Sequence, residues 1–329
     1  MSPSAATDRS GFLHELFLHS STEEMLEFIV PFVQDGVAAR EPTLIAVRPE
    51  TAKAVLGTVG PSPYLVVLPA IGQPGRAASD LRATDALLTD HSAKASRARI
   101  LNQEPTVPGS HWHEWRRLEA IVNLALRDHQ AWAVCVYDRH ALTVDRVEDL
   151  RATHALIWSG GKHLRNARYQ DPVNFIGKHM DAPPNPVEEL TPSTEFLNPS
   201  PATARAAVAD FTAQARLLAP DSESLVIATS EVVANAIVHG RPPIVLRVWS
   251  QPGRVTVTVT DIGTGPTDPF VGLLPAGHPG QQPGEPGLGL WISHQLVDIT
   301  HRRHSGGYTV RLTATHRDAT RHDRAAAPR

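Results

Sequence analysis

Glu231, Asn235 and His239 recur at four-residue intervals in TSEVVANAIVHG, Thr229–Gly240. Residues four apart stack on one face of a helix, so a carboxylate, an amide and an imidazole would form one line. Leu225, Ala228, Val232, Val233, Ala236 and Ile237 fall at the spacing of an apolar stripe that can face a sheet. A solvated stripe beside such a face ordinarily mixes Lys and Arg with Glu and Gln. Neither cation occurs between Asp221 and Gly240. Asn also prefers caps to helix interiors, so Asn235 asks for a partner. The helix alone fits a surface as well as a site.

Two further motifs bear on the choice. VTVTVTDIGTGP ends an alternating strand on Asp261 and follows it with Gly263 and Gly265. A carboxylate there can accept from a base amino group, and glycines let a ligand approach the backbone. GEPGLGLWISH places Gly287 and Gly289 at a helix start, where unbonded amides and the positive end of the helix dipole favour phosphate. Each motif is weak alone. The chain has no Gly-x-x-x-x-Gly-Lys-Ser/Thr loop; SGGKH, Ser159–His163, lacks the first glycine and the following hydroxyl. Nor does the Gly287 turn follow the Gly-x-Gly-x-x-Gly of a dinucleotide fold.

The elements that must position these residues fall into two halves. From about Phe12 to Tyr169, helices alternate with short apolar strands. STEEMLEFIVPFVQDGVAA opens with Ser21 and Glu24 in capping-box spacing, and Met25, Phe28, Phe32 and Val37 recur at helical intervals around Pro31. PTLIAVRP, YLVVLPA and AWAVCVYD are continuous apolar runs, the mark of strands covered on both faces. GSHWHEWRRLEAIVNLALRDH is a long amphipathic helix with Trp112, Trp115, Val122 and Leu126 on one side. This alternation predicts a layered α/β domain with a mostly parallel sheet over residues 10–180. His111 and His113, two apart, point to different sides of a helix, so no catalytic metal is expected there.

Between Asp181 and Pro201 the prolines at 183, 184, 186, 192, 199 and 201 predict a linker over 181–195, with one short edge strand at Glu195–Leu197. A helix over about Ala202–Leu218 and another over Ser222–Val238 then precede the strands IVLRVWS and VTVTVTD. In the second, Val255, Val257 and Val259 alternate with Thr256, Thr258 and Thr260, as in a half-buried antiparallel strand. GLGLWISHQLVDIT reads as a helix and GGYTVRLTA as the closing strand. Residues 196–315 are thus an α+β sandwich, and 316–329 a disordered tail.

The 329 residues suggest two domains, and 41% hydrophobic content lets each bury a core. Net charge is −3, from 31 basic and 34 acidic residues, without long runs of either sign. That balance argues against nucleic-acid or membrane-surface binding through bulk charge. The basic cluster HRRH, His301–His304, reads as solvated surface. No apolar run has membrane-spanning length and no secretory leader is evident, which points to the cytoplasm. Cys135 is the sole cysteine and reads as a small apolar residue in a buried strand.

A helix with Glu and Asn, a strand ending in Asp-x-Gly-x-Gly, a variable loop and a Gly-x-Gly helix start follow one another in order. The series resembles the GHKL ATP-binding superfamily and, in its compact form without a dimerising histidine domain, the RsbW-type anti-sigma-factor serine kinases. The resemblance spans about Phe196–Ala314 and implies a Bergerat-type sandwich binding ATP and Mg²⁺. It gives Asn235 the metal through its amide oxygen, Glu231 the general-base or orienting role, and Asp261 the adenine amino group. Gly263 and Gly265 would let the ring pack closely; Gly287, Leu288, Gly289 and Leu290 would offer backbone amides to phosphate. His239 matches a frequent family histidine without a defined role, and Thr309 is a further adenine-pocket candidate. The loop Pro266–Glu285 would be the lid. Its charges are Asp268 and Glu285, with no Lys or Arg, and Pro266 stands where an aliphatic residue is common. These departures put transfer chemistry in more doubt than binding.

HELFLHSSTEEMLEFIVPFVQDGVAAREPTLIAV, HWHEWRRLEAIVNLAL and CVYDRHAL resemble the MEDS sensory domain, which implies a RecA-like fold without its nucleotide loop and an unidentified small-molecule signal. His14, Glu114, Trp115, Arg116, Glu119 and Asp138 could line a pocket or serve as a capped helix and internal ion pair. Together the resemblances imply a cytoplasmic switch that phosphorylates a serine on an anti-sigma-factor antagonist of the STAS type or sequesters a sigma factor, with room for a homodimer. The alternatives are a sensor histidine kinase, which lacks its paired-helix segment here, and a binding module that holds ATP without transferring phosphate.

Overall fold

The computed structural model describes residues 11–68, 77–92, 97–103, 111–274 and 288–316. The chain divides into two units between His179 and Met180. In the first unit, β1 (Leu13–His19), β2 (Thr43–Ala46), β3 (Leu65–Leu68), β4 (Ala98–Gln103), β5 (Ala131–Asp138), β6 (Leu156–Ser159) and β7 (Lys162–Arg165) form a seven-stranded sheet in the order β3-β2-β4-β5-β1-β6-β7. Every pairing is parallel except that of β6 with β7. The accompanying helices are α1 (Thr22–Ala38), α2 (Pro49–Val59), α3 (Ala77–Ser92), α4 (Trp112–Ala125), α5 (Val144–Thr153) and α6 (Pro172–Lys178). The expected mostly parallel α/β architecture is therefore present.

β1 and β4 escape a search for apolar runs because polar residues interrupt them. His14, Glu15, His19, Arg99 and Gln103 are nevertheless buried. Several of their polar atoms find partners inside: Arg99 Nε donates to Glu41 Oε2 at 2.5 Å, and Gln103 Oε1 accepts from Arg48 N at 3.0 Å. Glu15 accepts from Trp132 Nε1 at 3.1 Å and lies 2.8 Å from His163 Nδ1. SGGKH is the tight hairpin between β6 and β7, where Gly160 and Gly161 both take positive φ (58° and 75°). At the β1–α1 junction, Ser21 Oγ accepts from Glu24 N at 3.1 Å and Glu24 Oε2 accepts from Ser20 N at 2.7 Å. This helix start is closed by its own carboxylates, Glu23 and Glu24, which disfavour an anion.

The second unit comprises β8 (Thr194–Leu197), α7 (Pro201–Gln214), α8 (Ala219–His239), β9 (Val245–Gln251), β10 (Arg254–Asp261), α9 (Leu288–Leu296), β11 (Asp298–His304) and β12 (Gly307–Thr315). The strands form an antiparallel sheet in the order β11-β12-β10-β9-β8. Val255, Val257 and Val259 share a core with Leu246, Val248, Val310 and Leu312 and with Leu225, Ala228, Val232 and Val233 of α8. Burial on α8 ends at Ala236; Ile237, expected on the apolar stripe, is 51% exposed. VDIT, expected to extend α9, instead contributes the start of β11.

β10 is not half-buried. Thr256 and Thr258 are 2% and 3% exposed. Cross-strand register puts Trp249, Arg311 and Thr313 on this second face. The proline-rich stretch crosses it: Trp249 Nε1 donates to Leu190 O at 2.9 Å, and Glu188 takes Arg302 Nη2 at 2.7 Å and Arg311 Nη1 at 2.6 Å. Ala182 N and Ser193 N bond His301 O and Val248 O, each at 2.7 Å. Prolines cannot build a ladder, yet an extended segment can lie along one and offer carbonyls and a carboxylate. The segment drawn as a linker over 181–195 is part of the second unit.

Removing Glu188 strands two largely covered guanidinium groups. Glu188→Ala is expected to lower the urea-unfolding free energy of the second unit by about 2–3 kcal/mol. The control is Glu195→Ala. Its pair with Arg247 is 40% (Arg247) and 51% (Glu195) exposed, and its removal should cost at most about 1 kcal/mol. Equal losses would mean that Glu188 does not fasten the segment.

Candidate functional site

α8 delivers Glu231 and Asn235 to the start of α9. A Cβ at Gly289 would lie 2.7 Å from Glu231 Oε2 and 3.6 Å from Asn235 Nδ2, so a larger residue there would displace the Glu231 carboxylate. Leu290 is buried in the core and holds α9 in place, while Leu288 is 61% exposed. Gly287 lies outside the described residues, as does the lid beyond Leu274. Asn235 Nδ2 is buried and has no hydrogen-bond partner among the described residues. Glu231 forms no ion pair with a cation among the described residues. His239, one turn beyond Asn235, is exposed.

The end of β10 forms the neighbouring wall. Asp261 is 5% exposed, and its Oδ1 accepts from Gly263 N at 2.6 Å and Arg241 N at 3.1 Å. These bonds tie the turn after α8 to the end of β10, leaving Oδ2 as the oxygen not used in them. Gly265 adopts φ +69° and packs on Tyr308, where a Cβ would meet ring Cδ2 at 2.4 Å. Thr309 follows on β12, its Oγ1 bonded to Thr260 Oγ1 at 2.8 Å and His304 Nε2 at 2.9 Å. Sequence reasoning did not find Tyr308; its opposition to Asp261 in the β10–β12 register is the signal that reveals it.

HRRH is not a solvated patch. His301 is 5% exposed, with Nε2 at 3.0 Å from His294 Nε2 and Nδ1 at 2.8 Å from Tyr308 Oη. Arg303 donates to Thr264 O at 3.0 Å and to Pro266 O, clasping the start of the lid. The cation missing from the lid sequence is thus supplied from β11, but its donors are engaged with carbonyls. Farther along, Asp268 Oδ1 accepts from Phe270 N at 2.9 Å, and Phe270, Val271 and Leu274 are buried.

These residues suit Mg-ATP. The unpartnered Nδ2 of Asn235 is a donor that a phosphate or water oxygen can meet, while the amide oxygen is a hard ligand suited to Mg²⁺. An anchored carboxylate beside glycines suits an amino group on a flat ring, and the glycine start of α9 suits phosphate.

The first unit contains a second cluster. Expected pocket residues His14, Trp115 and Glu119 line a cavity of about 40 Å³, together with Cys135 and Asn102. Glu114, Arg116 and Asp138 do not. Arg116 pairs with Asp149 at 3.6 Å, and Asp138 is exposed and caps the turn at His140. Cys135 is buried as expected, but its Sγ lies 3.3 Å from His14 Nε2. Glu119 accepts from Tyr137 Oη, which in turn accepts from Trp115 Nε1 at 2.7 Å. Burial alone would raise the Glu119 carboxyl, but the His14 hydrogen bond and nearby imidazoles hold it below the usual range. Burial, reinforced by His14, pushes His154 down to about 3.

The second unit thus packs helices on an antiparallel sheet and brings Glu231 and Asn235 to the glycine-led start of α9. Residues 198–314 match the family model described as histidine kinase-like ATPase domain, and residues 13–155 match the MEDS (methanogen/methylotroph, DcmR sensory) domain. The two matches follow one another along the chain, the MEDS match first and the ATPase match second. Among solved structures it is similar to the RsbU and RsbW domains of a Mycobacterium tuberculosis protein, at 22% identity and a TM-score of 0.26. That match covers 39% of this chain and 34% of the other. No curated protein matches. No helix among the described residues is long and apolar enough to cross a membrane.

Proposed function

We propose that the second unit binds Mg-ATP and phosphorylates a serine on an anti-sigma-factor antagonist of the STAS type, or sequesters a sigma factor, in the cytoplasm. The first unit, read as a RecA-like sensory scaffold in keeping with its mostly parallel sheet, biases that choice. The observation that carries the reading is the buried, unpartnered amide of Asn235 beside Glu231 at the glycine start of α9. Bound Mg-ATP supplies the phosphoryl group and the cation that offsets its charge. Asn235 holds the cation, Asp261 orients the base, and Glu231 accepts or directs the hydroxyl proton of the serine. The backbone amides of Leu288, Gly289 and Leu290 face phosphate, while Gly263, Gly265 and Thr309 shape the adenine wall; Gly287, assigned to the same loop from the sequence, lies outside the described residues. His239 lies at the rim.

A second reading, an ATP-holding module without transfer, is favoured by Arg303, whose donors are taken by the carbonyls of Thr264 and Pro266 and by Asp181. Radiolabelled ATP incubated with the full chain and a serine-bearing antagonist separates them. Acid-stable label on the antagonist is the expected result. ATP bound without label transfer leaves the second reading, and acid-labile label on this chain would identify a histidine kinase instead.

A further inference from the structure

We infer that His14, Glu119, Cys135 and His154 form a binding site for a divalent transition metal of the zinc class inside the first unit. The sequence scatters these residues over β1, α4, β5 and the turn after α5, and the fold brings them together. β1 and β5 are parallel neighbours with His14 opposite Ala133, so His14 and Cys135, two residues farther along β5, share one face of the sheet. α4 lays Glu119 over that face. All four residues are buried, and one potential ligand atom from each lies within 4.8 Å of the others.

Three of the six separations are those of a coordination shell, and the others lie within 4.8 Å. A tetrahedron with zinc bonds of about 2.0–2.3 Å has edges of about 3.3–3.8 Å. His14 Nε2 is 3.3 Å from Cys135 Sγ and 3.4 Å from Glu119 Oε2, and His154 Nε2 is 3.3 Å from the same carboxylate oxygen. Two imidazoles, a thiol and a carboxylate suit zinc and its neighbours, and disfavour magnesium or calcium.

Surrounding bonds orient the His154 and Glu119 atoms inward. His154 Nδ1 lies 2.7 Å from Leu150 O, which fixes that nitrogen as the donor and leaves Nε2 its lone pair. His154 Nε2 itself is buried without a hydrogen-bond partner. The second oxygen of Glu119 is held by Tyr137, and Tyr137 by Trp115. A histidine steered by a carbonyl and a carboxylate steered by a phenol are the supports that metal ligands require. The cavity of about 40 Å³ reaches three of the four residues, room for about two or three water-sized groups beside the metal.

The test uses the full chain after chelator treatment, titrated with Co²⁺ as a spectroscopic probe and then with Zn²⁺ in competition. Cys135 is the only cysteine, so a thiolate-to-cobalt charge-transfer band reports this site alone. The expected result is one equivalent of Co²⁺ with that band, displaced by one equivalent of Zn²⁺. Cys135→Ala should remove the band, and His154→Gln should weaken Zn²⁺ binding at least tenfold with the far-ultraviolet dichroism unchanged. His301→Gln, in the other histidine cluster, should leave the band intact. Absence of the band in the wild-type chain would overturn the inference and leave a buried ion-pair cluster, as would unchanged Zn²⁺ affinity in His154→Gln. Should Cys135→Ala fail to fold, the wild-type band and the His154→Gln affinity decide the matter.

Discussion

Asn235→Ala should abolish Mg²⁺-dependent ATP binding, weakening it at least about 100-fold, or ~2.7 kcal/mol. The wild-type amide sits one helical turn from Glu231 and faces the start of α9, with its nitrogen buried and unpartnered. Alanine removes the only neutral oxygen donor in the line Glu231–Asn235–His239, and a cation bridge to phosphate is worth several kcal/mol. The same change relieves a buried polar atom of its unmet requirement, so folding stability should hold or rise slightly. Calorimetric titration with ATP, with and without Mg²⁺, paired with urea unfolding, reads both effects. Unchanged binding in a folded variant would remove Asn235 from the site.

Glu231→Gln should separate binding from chemistry. The carboxylate lies where a Cβ at 289 would touch it and pairs with no described cation, so it is positioned to take up or direct a proton. Glutamine keeps the shape and loses the basicity. Phosphoryl transfer to a serine-bearing antagonist should fall by about 10²–10⁴, the usual contribution of a general base. ATP affinity should stay within a few fold. A parallel collapse of binding would make Glu231 a ligand-holding residue, and full transfer activity would exclude it from the chemistry.

How much of this was legible depended on the kind of signal. The Val-Thr alternation of β10, the helical line of α8 and the apolar runs of β2, β3 and β5 carry their periods in the sequence and were read correctly as elements. β1 and β4 were not, because their buried polar residues break the apolar pattern, and their partners lie far away in the chain. β11 was hidden for a related reason: HRRH looks solvent-directed until His301 is placed against His294 and Tyr308. In the candidate site, Glu231, Asn235 and Asp261 announced themselves by type and spacing. Tyr308 and Arg303 did not, since their positions follow from strand register and loop path. His154 and Cys135 acquire meaning only when a crossover sets α4 and the turn after α5 over one sheet face.

The proline-rich segment has a consequence for how the second unit survives apart from the first. β8 is the outermost strand, and it satisfies the open edge of β9 through Phe196 and its neighbours. The matched ATPase region begins at 198, after this strand. A fragment cut to that boundary would bare the hydrogen-bonding edge of Val245–Gln251 and uncover the threonine face that Glu188 and Leu190 shield. An unpaired edge next to a newly wetted sheet face is a template for association between copies. The segment would thus work as an anti-aggregation seal: Glu188, Leu190 and Ser193 fasten it to the sheet, while its prolines offer no amides to a passing chain.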